Sequence, residues 1–167
     1  MSAQNAAKAA VAALKAQGKT ISTAESCTGG LIAKKITDVS GASAVFHGGV
    51  VSYVNAVKHV VLGVSGEDLA QYGAVSEPVA RQMAAGARLL LHTDLAVSTT
   101  GVAGPDKDDF GNDVGTVYIA LADGAQSWCY LCHFQGSRSK IRTAAADFAL
   151  SLTVRYLAGD DLSEGAL

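Results

Sequence analysis

The residues with the most chemical potential lie in Thr23-Ala24-Glu25-Ser26-Cys27-Thr28-Gly29-Gly30. The residues up to Glu25 read as a strand and those from Leu31 as a helix, so Ser26 falls in the turn between them. Ligands of α/β sheets bind at such strand ends. A helix start offers unpaired N–H groups and a positive partial charge, and Gly29 and Gly30 let a ligand approach the backbone. In this setting the Ser26 hydroxyl can be a nucleophile beside an oxyanion hole. A plain N-cap serine followed by a glycine turn has the same local pattern. Cys27 is the rival nucleophile, because a helix start lowers a thiol pKa. Cysteine hydrolases pair with a histidine, and His47 alone lies in a nearby loop, so Cys27 is read as a packing neighbour.

Ser52-Tyr53-Val54-Asn55-Ala56-Val57-Lys58 follows a second strand, and Tyr53 and Lys58 can face the same strand-end crevice. A lysine desolvated there loses its proton more readily and can act as base toward a serine; a solvated lysine on a helix is the ordinary alternative. Ser98-Thr99-Thr100-Gly101-Val102-Ala103-Gly104-Pro105 is again a strand entering a glycine-rich turn, where successive N–H groups can form an anion nest. Thr99 and Thr100 alternate across the strand, so only one can face the crevice. In the run Arg138, Lys140, Arg142, a pattern usual on solvated faces, Arg142 is the residue singled out for phosphate, which a guanidinium binds bidentately. Cys129-Tyr130-Leu131-Cys132 has redox or zinc spacing. In a strand, however, residues three apart point to opposite faces and only His133 adjoins, so the pair is read as packing and no metal is expected.

The elements that must position these groups alternate along the chain. Helices are predicted over residues 2–17, Leu31–Val39, Ala56–Leu62, Gly66–Tyr72, Glu77–Leu91 (N-capped by Ser76, with Pro78 in the first turn) and Ser137–Leu157. Strands are predicted over Thr20–Glu25, Gly48–Val54, Asp94–Thr100 and, as a late hairpin, Val114–Ala122 with Ser127–Phe134. Gly101 to Asp113 reads as a long loop rich in Asp106, Asp108, Asp109, Asn112 and Asp113, and the acidic tail from Gly159 as frayed. The pattern predicts an α/β fold: a three-layer α/β/α domain with a mixed, about five-stranded sheet, spanning 1–167 as a single domain.

Composition narrows the function classes. Of 167 residues 49% are hydrophobic and 17% charged, which suits a globular chain with a real core. A formal charge of −2 gives no basic face, so no nucleic-acid partner is expected. No stretch approaches the roughly 18 apolar residues of a membrane span, so no membrane association is expected. The Ala-rich start lacks the apolar core of a secretory signal, and three cysteines form an odd set, which suits a reduced, cytoplasmic location.

Five blocks occur in order: Ala24–Gly30, Val51–Lys58, Gly73-Ala74-Val75-Ser76-Glu77-Pro78, Thr100–Pro105 and Val114-Gly115-Thr116-Val117-Tyr118. Together they resemble the CinA carboxy-terminal-domain family, the nicotinamide-nucleotide deamidases of the PncC type, over roughly residues 5 to 157. The resemblance implies a three-layer α/β/α domain. It implies hydrolysis of nicotinamide mononucleotide to nicotinic acid mononucleotide and ammonia, without metal or organic cofactor. Ser26 matches the family nucleophile, Lys58 the base, Tyr53 a helper, and Thr100 (or Thr99) a threonine at the second strand end. Arg142 matches an arginine supplied across a dimer interface, so a homodimer or higher even oligomer is expected. Thr28, Gly29, Gly30 and Gly101 complete the expected substrate site for this small nucleotide, with N–H groups of the Thr28-Gly29 turn holding the oxyanion. The chain departs from the pattern at Lys107-Asp108-Asp109-Phe110-Gly111-Asn112-Asp113, where the family has two glycines and a Lys-Pro. The amino-terminal, molybdopterin-binding-type domain of larger members is not expected here. Two functions follow: an amidohydrolase, for which the joint presence of Ser26 and Lys58 speaks, or a non-catalytic nucleotide-binding or regulatory module, for which the altered loop speaks.

Overall fold

The computed structural model describes residues 3–163. Its elements are α1 (Ala3–Gln17), β1 (Ile21–Glu25), α2 (Leu31–Thr37), β2 (Phe46–Val51), α3 (Asn55–Leu62), α4 (Gly66–Tyr72), α5 (Glu77–Leu91), β3 (Leu95–Gly101), β4 (Thr116–Ala122), β5 (Ser127–His133) and α6 (Arg138–Ala158). The strands form one mixed sheet in the order β2-β1-β3-β4-β5. β1 is parallel to β2 and β3, while β3–β4 and β4–β5 are antiparallel. The expected three-layer α/β/α architecture is the one observed.

The two faces of the sheet are covered differently. α1, α2 and α6 bury Leu14, Ile32, Ile36, Ile141 and Leu150 against Ile21, Val97 and Ile119. On the other face α5 lays Ala80 and Ala84 on Ala120 and Ala122, small side chains that let the helix axis come close to the sheet. Cys129 belongs to this second face and Cys132 to the first, as the period of two requires. β1 is buried along its whole length, whereas β2 at the edge alternates between half-buried and exposed.

Several boundaries differ from the sequence reading for local reasons. β2 ends at Val51 rather than Val54, because the chain leaves the sheet after the Ser52 N–H reaches the Glu25 carbonyl. A short 3-10 turn at Ala42–Ala44, unseen in the sequence, joins α2 to β2. Ser76 does precede α5, but its hydroxyl donates to the Gly73 carbonyl at 2.8 Å instead of capping the helix. The tail expected to fray is docked as far as Ser163: Leu162 is buried, and the Tyr130 hydroxyl donates to its carbonyl. Ser2, the expected first helical residue, and the rest of the tail lie outside the described residues. Among the described residues no helix is long and apolar enough to cross a membrane.

α3 and α5 meet at Gly86, where a Cβ would stand 2.0 Å from the Leu62 carbonyl oxygen. Helix propensity alone favours alanine there by about 1 kcal/mol. The backbone contact opposes it, and forcing a methyl against rigid backbone costs about 1–3 kcal/mol. Gly86→Ala is therefore expected to lower the melting temperature by several degrees; a melt at or above that of the parent would show that α3 moves aside freely.

Candidate active site

Because β2, β1 and β3 run parallel, their carboxyl ends open on one side of the sheet. The helix after β1 packs on one face and α5, after β2, on the other, so the chain diverges there and leaves a crevice. Each strand end delivers one of the segments singled out in the sequence. Ser26 and Cys27 follow β1, Tyr53, Asn55 and Lys58 follow β2, and Thr100 to Gly104 end and follow β3; all line one cleft of about 280 Å³.

The centre of the cleft is a serine–lysine pair. α3 begins just after Tyr53, and long side chains on a helix lean toward its start. Lys58, in the first turn, thus reaches back into the crevice, where Nζ donates to Ser26 Oγ at 2.9 Å and to the Ser52 carbonyl at 2.7 Å. Lys58 is only 1% exposed. Burial penalises its charged form and lowers its pKa from 10.5 to about 8, with the nearby Cys27 sulfur pulling slightly the other way. A useful fraction of free amine therefore exists near neutral pH, 2.9 Å from a hydroxyl. Cys27 is the reverse case: burial pushes its thiol up to about 12, so it has almost no thiolate to offer.

Behind Ser26 the turn is braced from inside. Glu25, to which the sequence reading assigned no role, is 1% exposed. Its carboxylate accepts the N–H groups of Ile32 (2.8 Å) and Ala33 (3.1 Å) and the Thr28 hydroxyl (2.7 Å). The start of α2, expected to be open to a ligand, is thus occupied by the chain's own carboxylate. Thr28 and Thr99 pair their hydroxyls at 2.7 Å in the same buried layer and do not line the cleft. Thr100, on the other side of β3, does line it, with its hydroxyl given to the Ala74 carbonyl at 2.7 Å. Of the expected glycines, Gly101 lines the cleft, whereas Gly29 and Gly30 do not.

Three successive carbonyls of the turn are engaged. Ser26 O accepts Gly29 N–H at 3.0 Å, Cys27 O accepts Arg142 Nε at 3.0 Å, and Thr28 O accepts both Arg142 Nη2 (2.9 Å) and Leu31 N–H (3.1 Å). The Gly29 N–H, expected to help hold an oxyanion, is consumed in closing the turn. Neither the Cys27 nor the Thr28 N–H bonds another described residue; Cys27 lines the cleft, whereas Thr28 is fully buried away from it. Arg142, expected at a phosphate, sits behind the nucleophile on carbonyls of its own chain and outside the cleft lining.

The arginine that does line the cleft is Arg138, passed over in the sequence as one of a solvated run. It donates to Gly104 O at 2.5 Å and to the Tyr53 hydroxyl at 2.7 Å, closing the rim between the second and third strand ends. Tyr53 is 56% exposed and stands at that rim. The 107–113 loop forms the rest of it. Asp108 folds the loop on itself by accepting the N–H groups of Phe110 and Asn112 and the Asn112 side-chain amide. Lys107 pairs with Asp113 at 2.7 Å, and the Phe110 ring covers Gly73 so closely that a Cβ there would lie 2.6 Å from it. Among the described residues no group of three or more His, Cys, Asp or Glu side chains could hold a metal ion.

Comparison with known proteins adds the following. The sequence model of the CinA C-terminal domain matches residues 3–157. A CinA-like protein of Syntrophus aciditrophicus is 49% identical over 151 residues, 89% of this chain and 36% of that protein. The chain spans about a third of the length of this and two further CinA-like relatives. A protein of Enterobacter agglomerans named nicotinamide-nucleotide amidohydrolase PncC is 49% identical over 146 residues, 86% of this chain and 88% of that protein. Among solved structures, a competence-damaged protein (CinA) superfamily protein from Klebsiella pneumoniae 700603 superposes with a TM-score of 0.92 at 31% identity, covering 95% of this chain and 99% of that one. The competence/damage-inducible protein of Agrobacterium tumefaciens superposes with a TM-score of 0.89 at 36% identity, covering 93% and 95%.

The lysine sets a pH dependence. Burial lowers its pKa, so below about 8 Nζ is an ammonium that cannot accept a proton, and above about 8 it is the free amine. The rate at which a fluorophosphonate labels Ser26 is therefore expected to rise with pH along a single limb centred near 8, and to lose that limb in Lys58→Met. A rate that stays flat from neutral to alkaline pH would remove Lys58 from the activation of Ser26.

Proposed function

The chain belongs to the CinA C-terminal domain family, and from that premise we propose that it hydrolyses the carboxamide of nicotinamide mononucleotide to nicotinic acid mononucleotide and ammonia. The observation that carries the reading is the buried Lys58–Ser26 pair at 2.9 Å, set at the joint end of three parallel strands. A serine hydroxyl beside a partly deprotonated amine is the donor set of a serine hydrolase that uses lysine in place of histidine.

In this reading Ser26 Oγ attacks the carboxamide carbon while its proton passes to Lys58 Nζ. The negative charge that develops on the carboxamide oxygen lies against the Cys27 N–H of the Ser26 turn. Lys58 then returns the proton to the departing nitrogen, ammonia leaves, and an acyl ester on Ser26 remains. Water, deprotonated by the same amine, attacks the ester and releases the acid and the serine. The Ser52 carbonyl holds Nζ in place throughout. Thr28 and Thr99 act as braces for the turn and not as substrate contacts.

The phosphate of the mononucleotide is assigned to Arg138. Of the charged side chains lining the cleft besides Arg138, Lys58 is the buried base, Lys107 is paired with Asp113, Asp108 accepts three N–H bonds from its own loop, and Asp106 is an exposed carboxylate. Arg138 has only neutral partners, a carbonyl and a phenol, which leaves its charge and further N–H donors for an anion.

Purified protein is expected to release ammonia from nicotinamide mononucleotide; tight binding without ammonia release would favour the non-catalytic module instead. Ser26→Ala should abolish release while Cys27→Ala keeps a large share of it, and an inactive Cys27 variant beside an active Ser26 variant would reverse the assignment. Arg138→Ala should raise KM for the mononucleotide by about tenfold or more, the loss of one charge-assisted hydrogen bond, and change KM for the nucleoside little. Equal effects on both substrates would remove Arg138 from the phosphate.

A further inference from the structure

We propose that Arg142 is the positioning residue of the oxyanion site: by holding the Cys27 and Thr28 carbonyls from behind, it keeps the Gly29 N–H on the Ser26 carbonyl and so turns the Cys27 N–H outward beside the nucleophile. A peptide unit is planar and trans, so its N–H points opposite to the carbonyl that precedes it. Three such units follow Ser26. In the first, Ser26 O is held by Gly29 N–H, which directs the Cys27 N–H the other way. In the second, Cys27 O is held by Arg142 Nε, which directs the Thr28 N–H away from α6. In the third, Thr28 O is held by Arg142 Nη2 and Leu31 N–H, and the Gly29 N–H that results is the one used to close the turn. One guanidinium therefore sets two of the three planes, and the ring of bonds closes on itself.

Of the remaining N–H groups, that of Thr28 belongs to a fully buried residue away from the cleft, while Cys27 lines the cleft and its N–H has no partner among the other described residues. A backbone donor without a partner in another residue is rare in a tightly braced turn, and this one directly follows the serine whose hydroxyl Lys58 contacts. The planarity of arginine suits it to the task, since Nε and Nη2 lie on one edge at a fixed spacing and match two neighbouring carbonyls, which a lysine cannot do. Gly29 completes the fit. A Cβ at that position would stand 3.0 Å from Arg142 Nη2, and the φ of +59° suits glycine.

The kinetic part of this proposal rests on the hydrolase reading above; the spectroscopic part does not. In 15N-labelled protein, Arg142→Ala is expected to shift or broaden the amide signals of Thr28 and Gly29 strongly, leaving signals of β4 and β5 in place, and guanidinium ion well below denaturing concentration should partly restore them. Unchanged Thr28 and Gly29 signals in the variant would overturn the proposal whatever the substrate. In the assay, kcat should fall about 10- to 100-fold, since loss of one oxyanion donor costs about 100- to 1,000-fold and this change loosens the donor without deleting it. KM should hold within about threefold for both mononucleotide and nucleoside, Arg142→Lys should rescue little, and guanidinium should raise kcat. A KM effect confined to the mononucleotide, with kcat intact, would overturn positioning in favour of phosphate binding. Absence of ammonia release from the parent protein would refute the hydrolase reading alone and leave the amide-signal result to decide on Arg142.

Discussion

Keeping the Lys58 amine out of water beside Ser26 costs on the order of 3 kcal/mol near neutral pH, the equivalent of its lowered pKa. That is a large fraction of the few kcal/mol by which a domain is stable. The fold carries the cost through the rest of the crevice. Lys58 can be 1% exposed only because α3 starts where β2 ends and the Ser52 carbonyl lies within 2.7 Å to accept a hydrogen bond. The parallel β2-β1-β3 arrangement brings Ser52 and Ser26, from adjacent strand ends, close enough for one side chain to reach both. A solvated lysine at the same position would remain an ammonium and could not take a proton from a serine.

The turn that presents Ser26 obeys a second constraint, that buried polar groups must be paired. Glu25 answers it for the start of α2, placing a carboxylate where two N–H groups would otherwise be orphaned. Thr28 and Thr99 link that carboxylate to β3. Arg142 answers it for the carbonyls on the other side. With three carbonyls of the turn and the Gly29 N–H engaged, the Cys27 N–H beside the nucleophile stands out, because it is a donor an anionic intermediate would need.

Charge in the cleft is arranged by pairing as well. The loop after β3 looks too acidic for an anionic ligand when read as residues in a row. In the fold, Asp108 is spent on the loop's own turn and Asp113 on Lys107. Beside the Asp106 and Asp108 carboxylates, the cleft is lined by a guanidinium with neutral partners.

Much of this was legible in the residues themselves. Alternating helical and strand periodicity, with a late hairpin, specified the three layers, and the strand exits marked Ser26, Tyr53, Lys58 and the Thr99-Thr100 pair, because strands, helix starts and glycine turns are local events. The five ordered blocks identified the family for the same reason: they are contiguous. The placement of Glu25, the division of labour between Arg138 and Arg142, and the different roles of Thr99 and Thr100 were not legible. Each depends on a partner distant in sequence. Arg142 is 114 residues from Thr28, and Arg138 is 85 from Tyr53. One turn of α6 separates the two arginines, enough to aim one at the rim of the cleft and the other at the back of the nucleophile turn. The sequence by itself determined which groups could react and which strand ends would carry them. Only the tertiary structure decided which of those groups are spent on each other and which remain free for a ligand, because hydrogen-bond and charge pairing between distant segments is settled by packing and leaves no local pattern.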